Sequence, residues 1–142
     1  MANIRPPTEA EFEVARRILK DARLDPTTPL RPEHTLVAEV NGAIVGLGQI
    51  KHHRGCQELG SLVVLPEYRH QGIAGQLIEA LEARAERPLY LMCLQSMESY
   101  YARFGYRSIS FSEMPTHFKR RLPLFTIARV LGFRPRVMRK DS

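Results

Sequence analysis

Residues 58–86 read ELGSLVVLPEYRHQGIAGQLIEALEARAE, and the fold turns on this stretch. Leu59 to Leu65 is nearly all apolar and stops at Pro66, the pattern of a strand buried on both faces. After the turn Pro66-Glu67-Tyr68, the apolar residues Ile73, Leu77, Ile78, Leu81 and Ala85 recur at helical spacing, which predicts a helix ending before Pro88. A strand that feeds a small-residue loop at a helix start brings unpaired N–H groups to the positive end of the helix dipole. Residues Arg69 to Gly75 therefore make an anion site suited to phosphate. Gly72, Ala74 and Gly75 keep side-chain bulk away from the main chain there. No Gly-Lys-Ser/Thr follows, and the spacing is not that of the dinucleotide fingerprint, so the common nucleotide loops do not fit.

Upstream, Thr8 with Glu11 forms a capping box, and Phe12, Ala15, Ile18, Leu19 and Ala22 predict a helix from about Glu9 to Ala22. Residues Asp25 to Pro32, with three prolines, predict a loop or one short helical turn. Thr35 to Val40 and Ala43 to Lys51 are β-rich runs joined by Asn41-Gly42, a strong signal for a tight antiparallel hairpin. Downstream, Leu89 to Leu94 reads as a short apolar strand. Ser96 is placed to cap a helix carrying Met97, Tyr100, Tyr101 and Phe104, which Gly105 ends. Tyr106 to Phe111 reads as a strand, Leu124 to Leu131 as a short helix and Arg136 to Arg139 as a last extended piece. Strands interleaved with helices and one early hairpin predict an α/β fold with a mixed sheet.

The 142 residues fit one domain, 1–142. The apolar runs are too short to span a bilayer, and the N-terminus matches no targeting peptide, so a cytoplasmic protein without a membrane partner is expected. Cys56 and Cys93 lack metal-ligand spacing and read as free thiols. The net charge of +6 is uneven: residues 115–142 hold eight Lys/Arg and one Asp/Glu, while the rest is nearly neutral. That basic segment suits an anionic ligand or partner, or else forms a solvated face. It has no interleaved-aromatic motif, so nucleic acid is not the expected partner. A monomer or a homodimer is expected.

Two motifs carry a family resemblance. Arg69, Gly72 and Ala74 fit the pattern Arg/Gln-x-x-Gly-x-Gly/Ala after a buried strand, and Tyr101-Ala102-Arg103-Phe104-Gly105-Tyr106 fits Tyr-x-x-x-Gly-Phe/Tyr about 30 residues later. In this the chain resembles the GNAT superfamily of acetyl-CoA-dependent N-acetyltransferases, over roughly Ile4 to Phe111, with Val137-Met138 like the family's last strand. One departure is that many members carry an asparagine where this chain has Leu94, Gln95 and Ser96.

The resemblance implies a GNAT-like mixed sheet, splayed open between its fourth and fifth strands and flanked by helices, with coenzyme A entering the cleft. The pantetheine arm would run beside Leu62, Val63 and Val64 like an added strand, and the Leu62 N–H would hold the thioester oxygen. The pyrophosphate would sit on the amides of Gln71, Gly72, Ile73, Ala74 and Gly75, with Arg69 and His70 in the same loop. Tyr101 would meet the sulfur and protonate the leaving thiolate. Glu58, eleven residues before Arg69, would be the general base, needed because an amine acceptor is mostly ammonium near neutral pH. Glu33, His52, His53 and His117 compete for that role, and His52 and His53 point to opposite faces, which argues against their sharing a metal.

The expected function is direct transfer of acetyl from acetyl-CoA to a primary amine in a ternary complex, without metal. Cys93, on an apolar strand, is expected to be inert rather than to carry an acetyl group. The alternative is a catalytically silent CoA-binding regulatory module. The acceptor would be gripped by residues 24–34 and 112–135, which carry no diagnostic motif.

Overall fold

A computed structural model describes residues 2–22 and 29–142, so residues 25–28 of the loop expected from Asp25 to Pro32, and residues 24–28 of the expected acceptor grip, lie outside the described residues. The chain divides into two compact units, Met1–Lys51 with Leu59–Ala85 and His52–Glu58 with Glu86–Ser142.

The first unit holds β1 (Asn3–Arg5), α1 (Glu9–Asp21), β2 (Thr35–Val40), most of β3 (Ala43–His53) and of β4 (Cys56–Val64), and α2 (Ile73–Glu82). Its strands lie in chain order, with β1–β2 and β2–β3 antiparallel. α1 starts as expected: the Glu11 amide donates to Thr8 Oγ1 at 3.2 Å and the Thr8 amide to Glu11 Oε1 at 2.9 Å. Asn41 and Gly42 both have positive φ, 51° and 83°, which a two-residue turn of this hand requires. Ala15, Val37, Ile44, Leu47 and Val63 form a buried cluster against which Ile18, Leu19 and Leu30 pack. Leu77, Ile78 and Leu81 of α2 are fully buried, each stabilising the unit by about 1.5–3 kcal/mol. A Cβ at Gly48 would lie 2.7 Å from Leu81 Cδ1, so the bare backbone of β3 lets α2 seat closely.

The second unit holds β5 (Leu89–Leu94), α3 (Glu98–Ala102), β6 (Arg107–Ser108), α4 (Thr116–Lys119), α5 (Leu122–Val130) and β7 (Pro135–Lys140), with β7 antiparallel to both β5 and β6. Tyr90, Phe118 and Val137 make its core, with Cys56, Met92, Ile109, Met114 and Phe125 packed around them. Among the described residues the chain thus has seven strands with flanking helices, the α/β class expected. No described helix is long and apolar enough to cross a membrane.

Four local expectations need correction. α2 ends at Glu82, because Arg84 and Ala85 bond back to Leu81 and Glu82 and tighten the last turn. Ser96 caps no helix: it lies in the 3-10 turn Gln95–Met97, pinned by the Gln95 amide on the Arg134 carbonyl at 2.7 Å, and α3 begins after Met97 without a side-chain cap. The strand expected over Tyr106 to Phe111 is only β6, because Ser110 and Glu113 form a capping box that opens a 3-10 turn at Phe111–Glu113. α5 runs from Leu122 to Val130 rather than from Leu124 to Leu131, and α4 before it was not expected.

Candidate active site

The loop of the first unit is shaped by main-chain conformation. β4 runs out at Val64, a 3-10 turn covers Pro66–Tyr68, and two left-handed residues, His70 (φ 63°) and Gly72 (φ 83°), swing the chain into α2. Gly72 is the N-cap and supplies no side chain to the first-turn amides. Those amides, which have no partner within a helix, and the dipole's positive end face outward. A Cβ at Gly72 would meet nothing within 4 Å, so glycine is favoured there by φ and not by crowding. Arg69 Nε donates to the Val64 carbonyl at 3.0 Å, which ties the loop back to the end of β4, and Gln71 Nε2 donates to the Glu67 carbonyl at 3.4 Å.

Leu62 follows a backbone irregularity that the sequence did not announce. Ser61, mid-strand in β4 and buried, has φ 54°, and its Oγ accepts from buried Gln49 Nε2 at 2.9 Å. A non-glycine residue held in the left-handed region inside a strand costs of order 1–3 kcal/mol, a cost that surrounding structure sustains most often at functional sites. Leu62, Val63 and Val64 continue β4 from this point, with Leu62 half-buried.

In the second unit the structure brings three of the competing bases together. Glu58 is only 3% exposed; His53 Nε2 lies 2.8 Å and His117 Nε2 3.7 Å from its Oε1. The two imidazoles stack face to face, centroids 3.5 Å apart and planes 12° from parallel, and Phe118 meets His117 edge-on. His53 reaches Glu58 across the Arg54-Gly55 turn between β3 and β4, while His117 comes from α4. His52 is exposed, as alternation along β3 dictates, and Glu33 is exposed on the 3-10 turn Pro32–His34 of the first unit.

Tyr101 stands on α3 against Tyr100 and Tyr106, ring centroids 5.3 and 6.3 Å away. Burial first, then Cys93 and Tyr100, push its hydroxyl up to about 12. Cys93 is pushed up to about 11 by burial and Glu98 against a smaller opposing effect of Arg136, and its Sγ approaches Met138 Sδ at 3.7 Å. Cys56 rises to about 11 through burial and the charge of Glu58. The basic segment carries a cavity of about 410 Å³ lined by Ile109, Phe111, Met114, Phe125, Arg129 and Arg136 among others.

The model of the acetyltransferase (GNAT) domain matches residues 31–108, more than half of the chain. The chain belongs to the GNAT acetyltransferase family. The matched GNAT segment contains Glu58, the Arg69–Gly75 loop and Tyr101, and ends before His117. An acetyltransferase of Yersinia pestis is 39% identical over 83 residues, 57% of this chain and 50% of that protein. The chain thus spans about half the length of such curated relatives. An acetyltransferase of Pectobacterium atrosepticum is 32% identical over 115 residues, 75% of this chain and 73% of that protein. Among solved structures, N-acetylglutamate synthase from Neisseria gonorrhoeae, complexed with coenzyme A and L-arginine, superposes with a TM-score of 0.79 at 14% identity, over 99% of this chain and 33% of that one. This last likeness shows the fold.

Proposed function

We propose that the protein is an acyltransferase that moves an acetyl group from acetyl-CoA to a primary amine, directly and without a covalent enzyme intermediate. The observation that carries this reading is the loop after β4: a left-handed Gly72 opens a helix whose first-turn amides have no side-chain cap, the shape a pyrophosphate needs. In this reading the amides of Gln71 to Gly75 hold the pyrophosphate and the Leu62 amide, after the turn at Ser61, polarises the thioester carbonyl. Arg69 and His70 shape the loop, and the Arg69 Nε bond to Val64 keeps it registered on β4. Val63 and Val64 offer main-chain groups to the pantetheine.

Glu58 takes a proton from the acceptor ammonium, which frees the nitrogen lone pair for attack. Its burial beside two imidazoles supports this role over that of Glu33 or His52. Tyr101 remains protonated near neutral pH and so can donate a hydrogen bond to the departing sulfur. Its hydroxyl makes no hydrogen bond among the described residues, which leaves it for a ligand. Cys93 near 11 holds little thiolate at neutral pH, which supports direct transfer over an acetyl-cysteine route. The cavity over the basic segment, with Arg129 and Arg136 in its lining, favours acceptors that carry an acidic group.

The test is a turnover screen with acetyl-CoA against a panel of primary amines, run on wild type and Glu58→Gln. Thiol release that depends on an amine and falls by ~100-fold or more in Glu58→Gln is expected. Coenzyme A binding with no turnover on any amine would leave a binding module instead.

A further inference from the structure

α5 presents to water the face that a surface helix ordinarily makes polar. Phe125 packs on the core of the second unit and Ala128, three residues on, is half-buried. By helical spacing Ile127 and Val130 then lie on the opposite side, with Leu124 and Leu131 flanking them. Ile127 is 56%, Val130 83% and Leu131 69% exposed, so four aliphatic residues form one uncovered stripe. Scattered exposed leucines are common on proteins, whereas a contiguous apolar face marks a contact surface. Left-handed Gly132 closes the helix with the Phe133 amide on the Ala128 carbonyl at 2.8 Å, and Phe133 is itself exposed at that end.

Cations frame the stripe at both ends. Lys119, Arg120 and Arg121 directly precede α5, and Arg129, Arg134 and Arg136 line a cavity of about 330 Å³ with Gly132 and Phe133. Three guanidinium groups around one cavity repel one another until an anion stands among them. The acids of the second unit do not fill that role. Asp141, the one acid of residues 115–142, bonds Arg139 at 2.5 Å, Glu113 bonds Arg107 at 3.3 Å, and Glu98 comes no closer to Arg136 than 3.9 Å. Lys119 lies over the Phe111 ring and Arg121 beside Met92 Sδ. Among the described residues Arg120, Arg129 and Arg134 enter no ion pair, and all three are exposed.

We infer that α5 and its flanking arginines dock the protein on a membrane surface rich in anionic phospholipid. Ile127, Val130 and Leu131 enter the acyl boundary, while Arg120 and the arginines of the cavity meet lipid phosphates, for which the guanidinium fork is well shaped. Charge selects this partner. A second copy of the chain brings the same cations to the same face, so a symmetric pairing sets arginine against arginine. An acidic protein answers the charge alone, whereas a bilayer supplies phosphates and apolar depth side by side, as an aliphatic stripe between two basic ends requires. Nine residues of helix rise roughly 13 Å, less than half of the hydrocarbon thickness, so α5 lies along the surface rather than across it. The hydropathy that predicts no membrane partner concerns spanning runs and does not bear on such a helix. The inference is independent of the acetyl-transfer reading, since it concerns where the protein docks and not the reaction.

Co-sedimentation of the whole chain with vesicles tests it, with equal parts phosphatidylserine and phosphatidylcholine compared with phosphatidylcholine alone, at low and at physiological salt. Binding to the anionic vesicles is expected, weakened by salt and ~10-fold or more weaker on the neutral ones. A triple variant, Ile127→Ser with Val130→Ser and Leu131→Ser, and a double variant, Arg120→Gln with Arg134→Gln, change exposed side chains only. Each should lower the partition by ~10-fold or more with the thermal midpoint unmoved. Absent binding at low salt, or equal binding to both kinds of vesicle, overturns the proposal. It is overturned too if the arginine variant loses binding while the serine variant keeps it, or if polyglutamate binds as tightly as the vesicles, because the contact is then one of charge alone and suits an acidic protein. Inorganic phosphate that displaces the chain at the concentration of accessible lipid phosphate would leave a site for the free ion and no docking surface. A dimer in sedimentation velocity that Val130→Asp dissociates would give the stripe to a second copy and likewise overturn it.

Discussion

The loop at Arg69–Gly75 and the cluster at His53, Glu58 and His117 are built on opposite principles. In the proposed reading the loop uses main-chain N–H groups from one short run of chain, and Arg69 ties it to its own strand. The cluster brings together three side chains from three elements, Glu58 and His117 lying 59 positions apart in the chain, and none of the three has a positive φ. A main-chain site is sensitive to whatever blocks approach or denies the required φ, and indifferent to most other changes. A side-chain site loses its function with any one member, yet the backbone that carries it survives.

The largest effect should come from breaking the loop on its own terms. Gly72 sits at φ 83°, which asparagine and aspartate tolerate better than other side chains, and a Cβ there meets nothing. Gly72→Asn should therefore keep coenzyme A affinity within several-fold, whereas Gly72→Asp, of the same size but anionic, should weaken it by ~100-fold or more through repulsion of the pyrophosphate. Calorimetry on both variants gives the comparison. Equal affinities would mean that the loop does not hold the phosphates.

The next effect belongs to the second unit. Tyr101→Phe removes one hydroxyl and keeps the ring that packs on Tyr100 and Tyr106. A phenol held near 12 is a weak acid toward a thiolate whose thiol titrates near ~8.5, so full proton transfer is uphill and the hydroxyl acts as a hydrogen-bond donor. A hydrogen bond to a charged partner contributes about 1.5–3 kcal/mol, so kcat should fall about 10-fold to 100-fold with coenzyme A affinity unchanged. Steady-state kinetics at saturating acetyl-CoA reads this. A weaker affinity with unchanged kcat would turn Tyr101 into a binding residue.

The contrast also explains what could be read from the chain. β4, the turn and α2 follow one another without interruption, so hydrophobic period and small residues sufficed to place the loop. The placement of Tyr101 on α3 was legible because the motif Tyr101 to Tyr106 is local. The left-handed Ser61 was not, since the residue at that position is not a glycine and the bond its side chain accepts comes from Gln49, twelve residues away. The pairing of His53 with Glu58 lay within reach, being five residues apart across a two-residue turn, but His117 had no neighbour in sequence that would bring it there. β6 is shorter than the strand expected over Tyr106 to Phe111, because Ser110-Phe111-Ser112-Glu113 spells a capping box that turns the chain there.

The smallest effect tests whether the burial around Tyr101 is as tight as its raised value requires. Its folded-state value is about 12 against 10 for an ordinary tyrosine, so the folded chain keeps a proton that the unfolded chain releases. Stability from this source is complete below pH 10 and is lost as pH rises through 12, because in that window the unfolded state binds fewer protons. By pH 11 the loss amounts to about 1.4 kcal/mol, one unit of the two having been spent. Cys93 and Cys56, raised in the same direction but only half-buried, add a weaker decline beginning near 9. Urea unfolding of wild type and Tyr101→Phe at pH 8 and pH 11 separates the contributions: the phenylalanine variant should lose about 1.4 kcal/mol less than wild type over that interval. Equal losses in the two proteins would mean that the Tyr101 hydroxyl is open to water in solution. The same exposure would let it titrate near its ordinary value, which makes it a better acid and raises the kinetic cost expected for Tyr101→Phe, so the two measurements on one variant constrain each other.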